Sequence, residues 1–253
     1  MSLAGRHALV TGAGRGIGAA IAEALLQEGA RVTALGRDDA VLRQRWDARD
    51  NLRFDRCDVT DEPQIDAAFS DAAEAFGPID ILVNNAGAEH SAPFHRTTAD
   101  DYRRMFEVNL VGAAMCAQRA LAGLKGRDYG RIVNVASIAG LKGYAYTAAY
   151  TASKHALIGL TRALADELRA TPTTVNAVCP SFVDTDMVAR SIANISAKTG
   201  RSAEDALKEL VRANPQGRLV QPEEVAAAVL WLCSPAARSV TGHAIPIDGG
   251  ETA

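Results

Sequence analysis

No apolar run in the 253-residue chain approaches the ~20 residues that a bilayer-spanning helix needs. The opening MSLAGRHALV runs into a strand-like segment without a secretory pattern. These absences predict a cytoplasmic protein with no membrane partner. Charge of one sign is missing as well: 27 Lys and Arg stand against 30 Asp and Glu, a formal net charge of −3, with no basic cluster. Nucleic acid is therefore not an expected partner. The four cysteines, Cys57, Cys116, Cys179 and Cys233, are far apart, form no C-x-x-C pair and have no histidine at ligand spacing. They read as buried thiols. The five histidines form no helical metal pair, so no metal is expected, and His90 and His95, in one polar loop, are given solvated roles. Linkers, internal repeats and low-complexity tracts are also lacking. With 48% hydrophobic and 23% charged residues, the composition is that of a single folded domain over residues 1–253.

What the chain does have is alternation. The strand-like runs HALV, ARVTALG, NLRFDRCDV, IDILVNNAG, GRIVNVAS, TTVNAVCP and HAIPIDGG are separated by amphipathic stretches. Such alternation requires right-handed crossovers, hence a parallel sheet covered on both faces. The expected fold is α/β, a doubly wound parallel seven-stranded sheet. Helix starts are marked by Thr60 before Asp61, Glu62 and Pro63, by Thr98 before Asp100 and Asp101, and by Pro222 before Glu223 and Glu224, where caps and acids suit the helix dipole. The polar region 181–220 is expected to be helical in parts and to hold a lid within 184–218.

Four glycines crowd into TGAGRGIG, residues 11–18, directly after HALV. In the following AAIAEALLQEGA, Ile21, Ala24 and Leu25 share one helix face. This is a strand-to-helix turn in which glycine admits positive φ and close backbone approach. The helix start offers unpaired N–H groups and the positive end of the dipole, which suits a phosphate. A plain tight turn is the competing explanation; the flanking strand and helix favour nucleotide binding. Ligands of open α/β sheets lie at the carboxyl ends of strands, where the strand order reverses. NNAG (Asn84 to Gly87), Ser137 and PSFVDT (Pro180 to Thr185) follow the fourth, fifth and sixth strand-like runs. In YTASK, Tyr150 and Lys154 share a helix face. An ammonium beside a phenol would lower the tyrosine pKa from about 10. Spacing alone favours a solvated surface for such a pair.

Taken together, TGAGRGIG, NNAG, Asn109 in VNLVG, Ser137 in NVAS, Tyr150 and Lys154 in YTASK, and PSFVDT resemble the short-chain dehydrogenase/reductase family. The resemblance covers about residues 5–250, with Ser137 thirteen positions before Tyr150. It implies a single-domain Rossmann fold and an NAD(P)(H)-dependent oxidoreductase of the 3-oxoacyl-[acyl-carrier-protein] reductase and ketoreductase branch. It also implies a catalytic set of Asn109, Ser137, Tyr150 and Lys154. Tyr150 would protonate the carbonyl oxygen, or act as base in reverse, and Ser137 would hydrogen-bond the same oxygen. Lys154 would lower the Tyr150 pKa and bind nicotinamide ribose, and Asn109 would hold a relay water. Gly12, Arg15, Gly16, Ile17 and Gly18 would form the pyrophosphate turn. Asp58, with Val59 beside it, would lie on the adenine side. Asn85, Ala86 and Gly87 would line the cleft, with Asn84 structural. Pro180, Val183 and Thr185 would reach the nicotinamide, Thr185 near its carboxamide. A homotetramer is implied too, with the Tyr150 helix and its neighbour at one interface and the last strand at another. Ala156, Leu157, Leu160 and Leu164 allow that helix burial on two sides.

The end of the second strand discriminates the cofactors. In RVTALGRDD, NAD-using relatives carry aspartate at the position of Gly36. Arg37 follows it and Arg15 sits in the glycine turn, two guanidinium groups able to flank a 2′-phosphate. NADP(H) is favoured, with NAD(H) the alternative should Asp38 reach a ribose hydroxyl or pair with Arg37. The expected substrate is a small carbonyl compound or its alcohol: a 3-oxoacyl thioester of CoA or acyl-carrier protein, or a related ketone. The insertion SAKTGRSAEDALKEL resembles the lid of 3-hydroxybutyrate dehydrogenases. However, the histidine and lysine with which those hold a carboxylate correspond to Ala139 and Thr147, and Glu89 adds an unfavourable negative charge. Glu89, His90, Ala139, Leu141, Tyr144, Phe182 and Met187 are the candidate substrate-facing residues. Ser181 stands where the family usually has glycine and would be strained at positive φ. The alternatives are an NAD-dependent 3-hydroxyacyl-CoA, 3-hydroxybutyrate or other secondary-alcohol dehydrogenase and, more remotely, a catalytically idle nucleotide-binding protein.

Overall fold

Seven parallel strands form one sheet in the order β3-β2-β1-β4-β5-β6-β7 in the computed structural model, which describes residues 2–47 and 49–253. They are β1 (His7–Thr11), β2 (Arg31–Gly36), β3 (Leu52–Arg56), β4 (Ile81–Asn84), β5 (Gly130–Val135), β6 (Thr173–Pro180) and β7 (Ala244–Ile247). Each strand-like run of the sequence supplies one. The inner runs are nearly continuous in apolar residues because both faces of a parallel sheet are covered. On β1, Ala8 and Val10 pack with Ile21, Leu25, Val225 and Val229, whereas Leu9 packs with Ile65, Phe69 and Ala117. The first group belongs to α1 (Gly16–Gln27) and α9 (Pro222–Cys233), the second to α3 (Glu62–Phe76) and α5 (Gly112–Leu124). Each fully buried aliphatic side chain contributes about 1.5–3 kcal/mol, so the two layers clamp the sheet from both sides.

The remaining helices are α2 (Asp39–Arg45), α4 (Ala99–Phe106), α6 (Ala148–Glu167), α7 (Asp186–Thr199) and α8 (Ala203–Val211). Their starts follow local chemistry. Thr98 and Asp101 form a reciprocal capping box on α4, and Pro222 is the first residue of α9 behind Gln221. The α3 cap is Asp61, not Thr60: its carboxylate accepts from the Gln64 amide at 3.1 Å. Between α4 and α5 the helix loosens into a π turn, Glu107–Val111, which carries Asn109; such turns concentrate at functional sites. Among the described residues no helix is long and apolar enough to cross a membrane.

The strand order reverses beside β1: β2 and β3 lie on one side of it, and β4 through β7 on the other. A crevice therefore opens at the carboxyl ends of β1 and β4, where the glycine turn and NNAG emerge.

Candidate active site

The glycine turn is held open by contacts from distant elements. Gly12 and Gly16 have φ of +66° and +54°, which L side chains rarely adopt. A Cβ on Gly12 would lie 2.8 Å from Asn85 Nδ2, and one on Gly18 would run into the Gly12 carbonyl. Asn85 Nδ2 donates to the carbonyls of Thr11 and Gly12 at 2.9 and 3.1 Å. Thr11 Oγ1 in return accepts from the Asn85 and Ala86 amides, both at 3.0 Å. Trp46, 2% exposed, donates its indole N–H to the Ala13 carbonyl at 3.2 Å. Arg15, exposed at the start of α1, makes no side-chain cap, and the first turn carries no acid. Gly16, Ile17 and Gly18 thus open α1 with uncapped amides, the donor set an anion needs. Ile17 is half-buried against the α1–α9 core.

The end of β2 carries no carboxylate. Gly36 is buried against Leu42, whose Cδ2 would lie 3.1 Å from an added Cβ. Arg37 is exposed, and Asp38, exposed as well, caps α2: its Oδ1 accepts from the Ala40 and Val41 amides at 3.1 and 3.3 Å. Arg56, opposite Gly36 in the sheet, donates to the Arg37 carbonyl at 3.4 Å. Asp58 Oδ1 accepts from Thr60 N and Oγ1 at 3.0 and 2.8 Å. Val59 is buried, its side chain in the α3–α5 core.

The chemical residues gather past β5 and β6. Ser137 follows β5, and Tyr150 and Lys154 rise from the first turns of α6. The Ser137 hydroxyl acts on the Tyr150 side chain and favours its ionised form, and Ser137 Oγ accepts from the Ala139 amide at 3.1 Å. Lys154 Nζ donates to the Val135 carbonyl at 3.0 Å and lies 5.8 Å from the Tyr150 ring centre. Their titration departs from the expectation drawn from spacing. Desolvation pushes Tyr150 up to about 12 against the opposing Ser137 hydroxyl, with Glu89 and Cys179 adding to the rise. It brings Lys154 down to about 8, the Cys179 charge partly opposing. Burial is the largest cause of both shifts.

Asn109, 1% exposed, spends its side chain on structure. Oδ1 accepts from the Ala88 amide at 2.8 Å, and Nδ2 donates to the Ala88 carbonyl at 3.0 Å and to Ser153 Oγ at 2.9 Å. A Cβ on Gly87 would lie 3.1 Å from Asn109 Oδ1 and 3.6 Å from Lys154 Nζ, so Gly87 keeps the space before the lysine clear. Asn84 is structural as expected, its Nδ2 donating to Ala113 O and Asn134 Oδ1 at 3.1 and 2.9 Å.

The family model described as enoyl-(acyl carrier protein) reductase matches residues 12–252. The chain belongs to this family of short-chain dehydrogenases/reductases. It is 41% identical to a cis-4-hydroxycyclohexanecarboxylate dehydrogenase of Sinomonas cyclohexanicum, over 100% of this chain and 98% of that protein. It is 39% identical to an acetoacetyl-CoA reductase of Shinella zoogloeoides, over 97% and 98%. An actinorhodin polyketide ketoreductase variant solved with NADPH superposes with a TM-score of 0.91 at 38% identity, covering 98% of this chain and 97% of that one. As a member of the family, the protein is an oxidoreductase that interconverts CH–OH and C=O groups with a nicotinamide cofactor.

The crevice of this short-chain dehydrogenase/reductase fits such a cofactor: the glycine turn is a cradle that side chains would fill, and its uncapped amides suit a pyrophosphate. The other candidate residues are engaged within the fold. Val183 is buried, and its segment pairs with Val220 through main-chain bonds of Asp184 N to Val220 O and Val220 N to Phe182 O, both 2.9 Å; only its backbone is left to face a ligand. Thr185 precedes α7 with Oγ1 on the Val183 carbonyl at 3.2 Å, its Cγ2 beside Gly16. Ser181 carries no strain, because Tyr146 is the sole non-glycine residue with positive φ among those described. Ala139 is buried. His90 is not a solvated ring: its Nδ1 pairs with Arg104 at 3.2 Å and its Nε2 lies 3.5 Å from Asp101. Tyr144 turns its hydroxyl to Glu251 at 2.6 Å. Glu89 Oε1 accepts from Ser191 of α7 at 3.2 Å, and desolvation raises its carboxyl, with Ser191 and Arg190 opposing. Thr11, Trp46, Arg56, Ser153 and Glu251 were not foreseen; their bonds span long sequence separations that no local motif records.

Proposed function

We propose that the enzyme reduces the keto group of a 3-oxoacyl thioester or a related neutral ketone with NADPH. The observation that carries this reading is the meeting of Ser137, Tyr150 and Lys154 at the ends of β5 and β6, beside the glycine cradle of β1. The cofactor, when bound, supplies the hydride. Gly12, Arg15, Gly16, Ile17 and Gly18 would hold its pyrophosphate, Asp58 and Val59 its adenine side, and Asn85, Ala86 and Gly87 the middle of the cleft. Pro180, Thr185 and the Val183 main chain would border its nicotinamide end. Tyr150 gives its hydroxyl proton to the substrate carbonyl oxygen, and the Ser137 hydroxyl donates to that oxygen as negative charge develops. Lys154 donates to ribose hydroxyls, and its charge favours the phenolate that Tyr150 becomes. With the Asn109 side chain engaged, a relay water would rest on its main chain.

NADPH is favoured over NADH because Gly36 offers no carboxylate to a ribose hydroxyl while Arg15 and Arg37 are exposed and free to flank a phosphate, with Arg56 alongside. Glu89 at the cleft disfavours a carboxylate substrate, and the acetoacetyl-CoA reductase relative favours a thioester. We also read the chain as one domain in which α7 and α8, within 184–218, form a substrate lid, and as a cytoplasmic homotetramer. A second reading, oxidation of a cyclic secondary alcohol, with NAD as the acceptor carried by the oxidative alternative, is favoured in its substrate by the 41% identical cis-4-hydroxycyclohexanecarboxylate dehydrogenase.

Matched steady-state rates with acetoacetyl-CoA test the first reading. NADPH is expected to exceed NADH by about tenfold or more in kcat/KM, the worth of one charge-assisted hydrogen bond. Tyr150→Phe is expected to lower kcat by about 10²–10⁴ while NADPH fluorescence titration stays unchanged. A preference for NADH would move the oxidative reading to first place, and full turnover by Tyr150→Phe would remove Tyr150 as the acid.

A further inference from the structure

Glu251, in the segment after β7, has a side chain only 1% exposed, and three side chains converge on its carboxylate. Tyr144 Oη donates to Oε1 at 2.6 Å and Ser181 Oγ donates to Oε2 at 2.7 Å. Lys142 Nζ lies 3.4 Å from Oε1 and donates to the Glu251 carbonyl at 3.0 Å. Lys142 and Tyr144 belong to the stretch that joins Ser137 to Tyr150. Ser181 directly follows Pro180 and begins the stretch that runs to Thr185. A single buried carboxylate therefore ties together the two chain segments that frame the chemical residues.

The segment bearing Glu251 is itself fixed. Asp248, 7% exposed, accepts from the Gly250 and Thr252 amides, both at 2.9 Å, and from Thr252 Oγ1 at 2.5 Å. The Ser181 amide donates to the Ile247 carbonyl at 3.1 Å. A carboxylate out of water is tolerated only when its oxygens are filled by donors, and here the donors come from two separate chain segments. Removing it leaves the Tyr144 and Ser181 hydroxyls without their acceptor and takes the counter-charge from Lys142, whose bond to the Glu251 carbonyl remains, so the side-chain link between the two segments is lost.

We propose that Glu251 is a positioning residue that clasps segment 142–144 to segment 181–185 and thereby sets the separation between the Ser137–Tyr150 pair and the nicotinamide-facing loop. This rests on the reading of the cleft given above. It also gives Ser181 a purpose that glycine could not serve, because the clasp needs its hydroxyl.

The test uses the full chain with Glu251→Ala and Glu251→Gln, measuring kcat, KM, NADPH affinity by fluorescence and amide hydrogen exchange. Misplacing reacting groups by about 1 Å costs up to about 10² in rate. Glu251→Ala is accordingly expected to lower kcat by about tenfold or more, with faster exchange in 142–146 and 181–185 together. Glu251→Gln keeps an acceptor oxygen and is expected to recover kcat to within about threefold, which a loss of global stability alone would not produce. Should Glu251→Ala fail to fold, Tyr144→Phe and Ser181→Ala each remove one strand of the clasp and are expected to speed exchange in both segments. A folded Glu251→Ala protein with wild-type kcat and exchange, or single variants that loosen only their own segment, would overturn the clasp. If the wild-type chain turns over no ketone with either cofactor, the proposed reaction fails, while the paired change in exchange still decides the clasp.

Discussion

Lys154 is 5% exposed and carries an ammonium whose only hydrogen bond among those described runs to the Val135 carbonyl. Burial brings it down to about 8, whereas Tyr150 is held up to about 12. The two groups therefore titrate in separate windows. Tyr150 keeps its proton throughout the working range, so an alkaline fall in ketone reduction belongs to Lys154: charged below about pH 8, it loses its charge as pH rises. The expected kcat/KM declines above about pH 8 and approaches a tenfold loss per unit. In Lys154→Arg, whose guanidinium stays charged, the limb moves up by more than a unit. A limb that Lys154→Arg leaves in place would assign it to another group. The same shift has a stability sign. The folded chain binds this proton more weakly than the unfolded chain, so the contribution is present above the reference value of 10.5 and is lost as pH falls through about 8.

At the scale of elements, the turn between β1 and α1 depends on a residue from the end of another helix. Trp46 closes α2 and bonds the Ala13 carbonyl, while Ala13 N donates to Leu35 O of β2 at 2.8 Å. Trp46→Phe keeps the apolar contact and removes the N–H. It is expected to cost about 1 kcal/mol in urea unfolding and to weaken NADPH several-fold, with kcat at saturation unchanged; unaltered cofactor affinity would show that the turn holds its shape without the indole. The seven strands were legible in the sequence because each is a short apolar run ended by turn residues, and the glycine turn because φ and Cβ clearance restrict Gly12 and Gly18 to glycine. Trp46 was not legible: an aromatic after a short polar helix carries no mark of the carbonyl it meets 33 positions earlier. The same holds for the union of Glu251 with Ser181, 70 positions apart, and for the Asn109 side chain, whose amide is used by Ala88 and Ser153 in a π turn that no periodicity announces.

For the whole molecule, the surface left by the folded chain shapes the expected assembly. The last strand, β7, is an outer strand of the sheet, short, half-exposed, and interrupted by Pro246, which has no N–H to offer a further strand. Trp231, on the neighbouring α9, is 41% exposed, an unusual place for a large aromatic on a monomer. On the opposite layer, α6 presents Thr151, Ala152, Ala156, Gly159 and Ala163 outside its buried face, small residues that let another helix approach closely. If each of these faces met its own copy across a two-fold axis, the result would be a closed tetramer. Sedimentation at micromolar concentration is expected to give four times the 26.6 kDa chain mass. Trp231→Lys, which places a charge at the α9 face and leaves the α6 face intact, is expected to halve that mass while the protein still binds NADPH. A compact monomer of wild-type protein at that concentration would reject the tetramer, and a Trp231→Lys protein that remains four-fold would move the second contact away from α9.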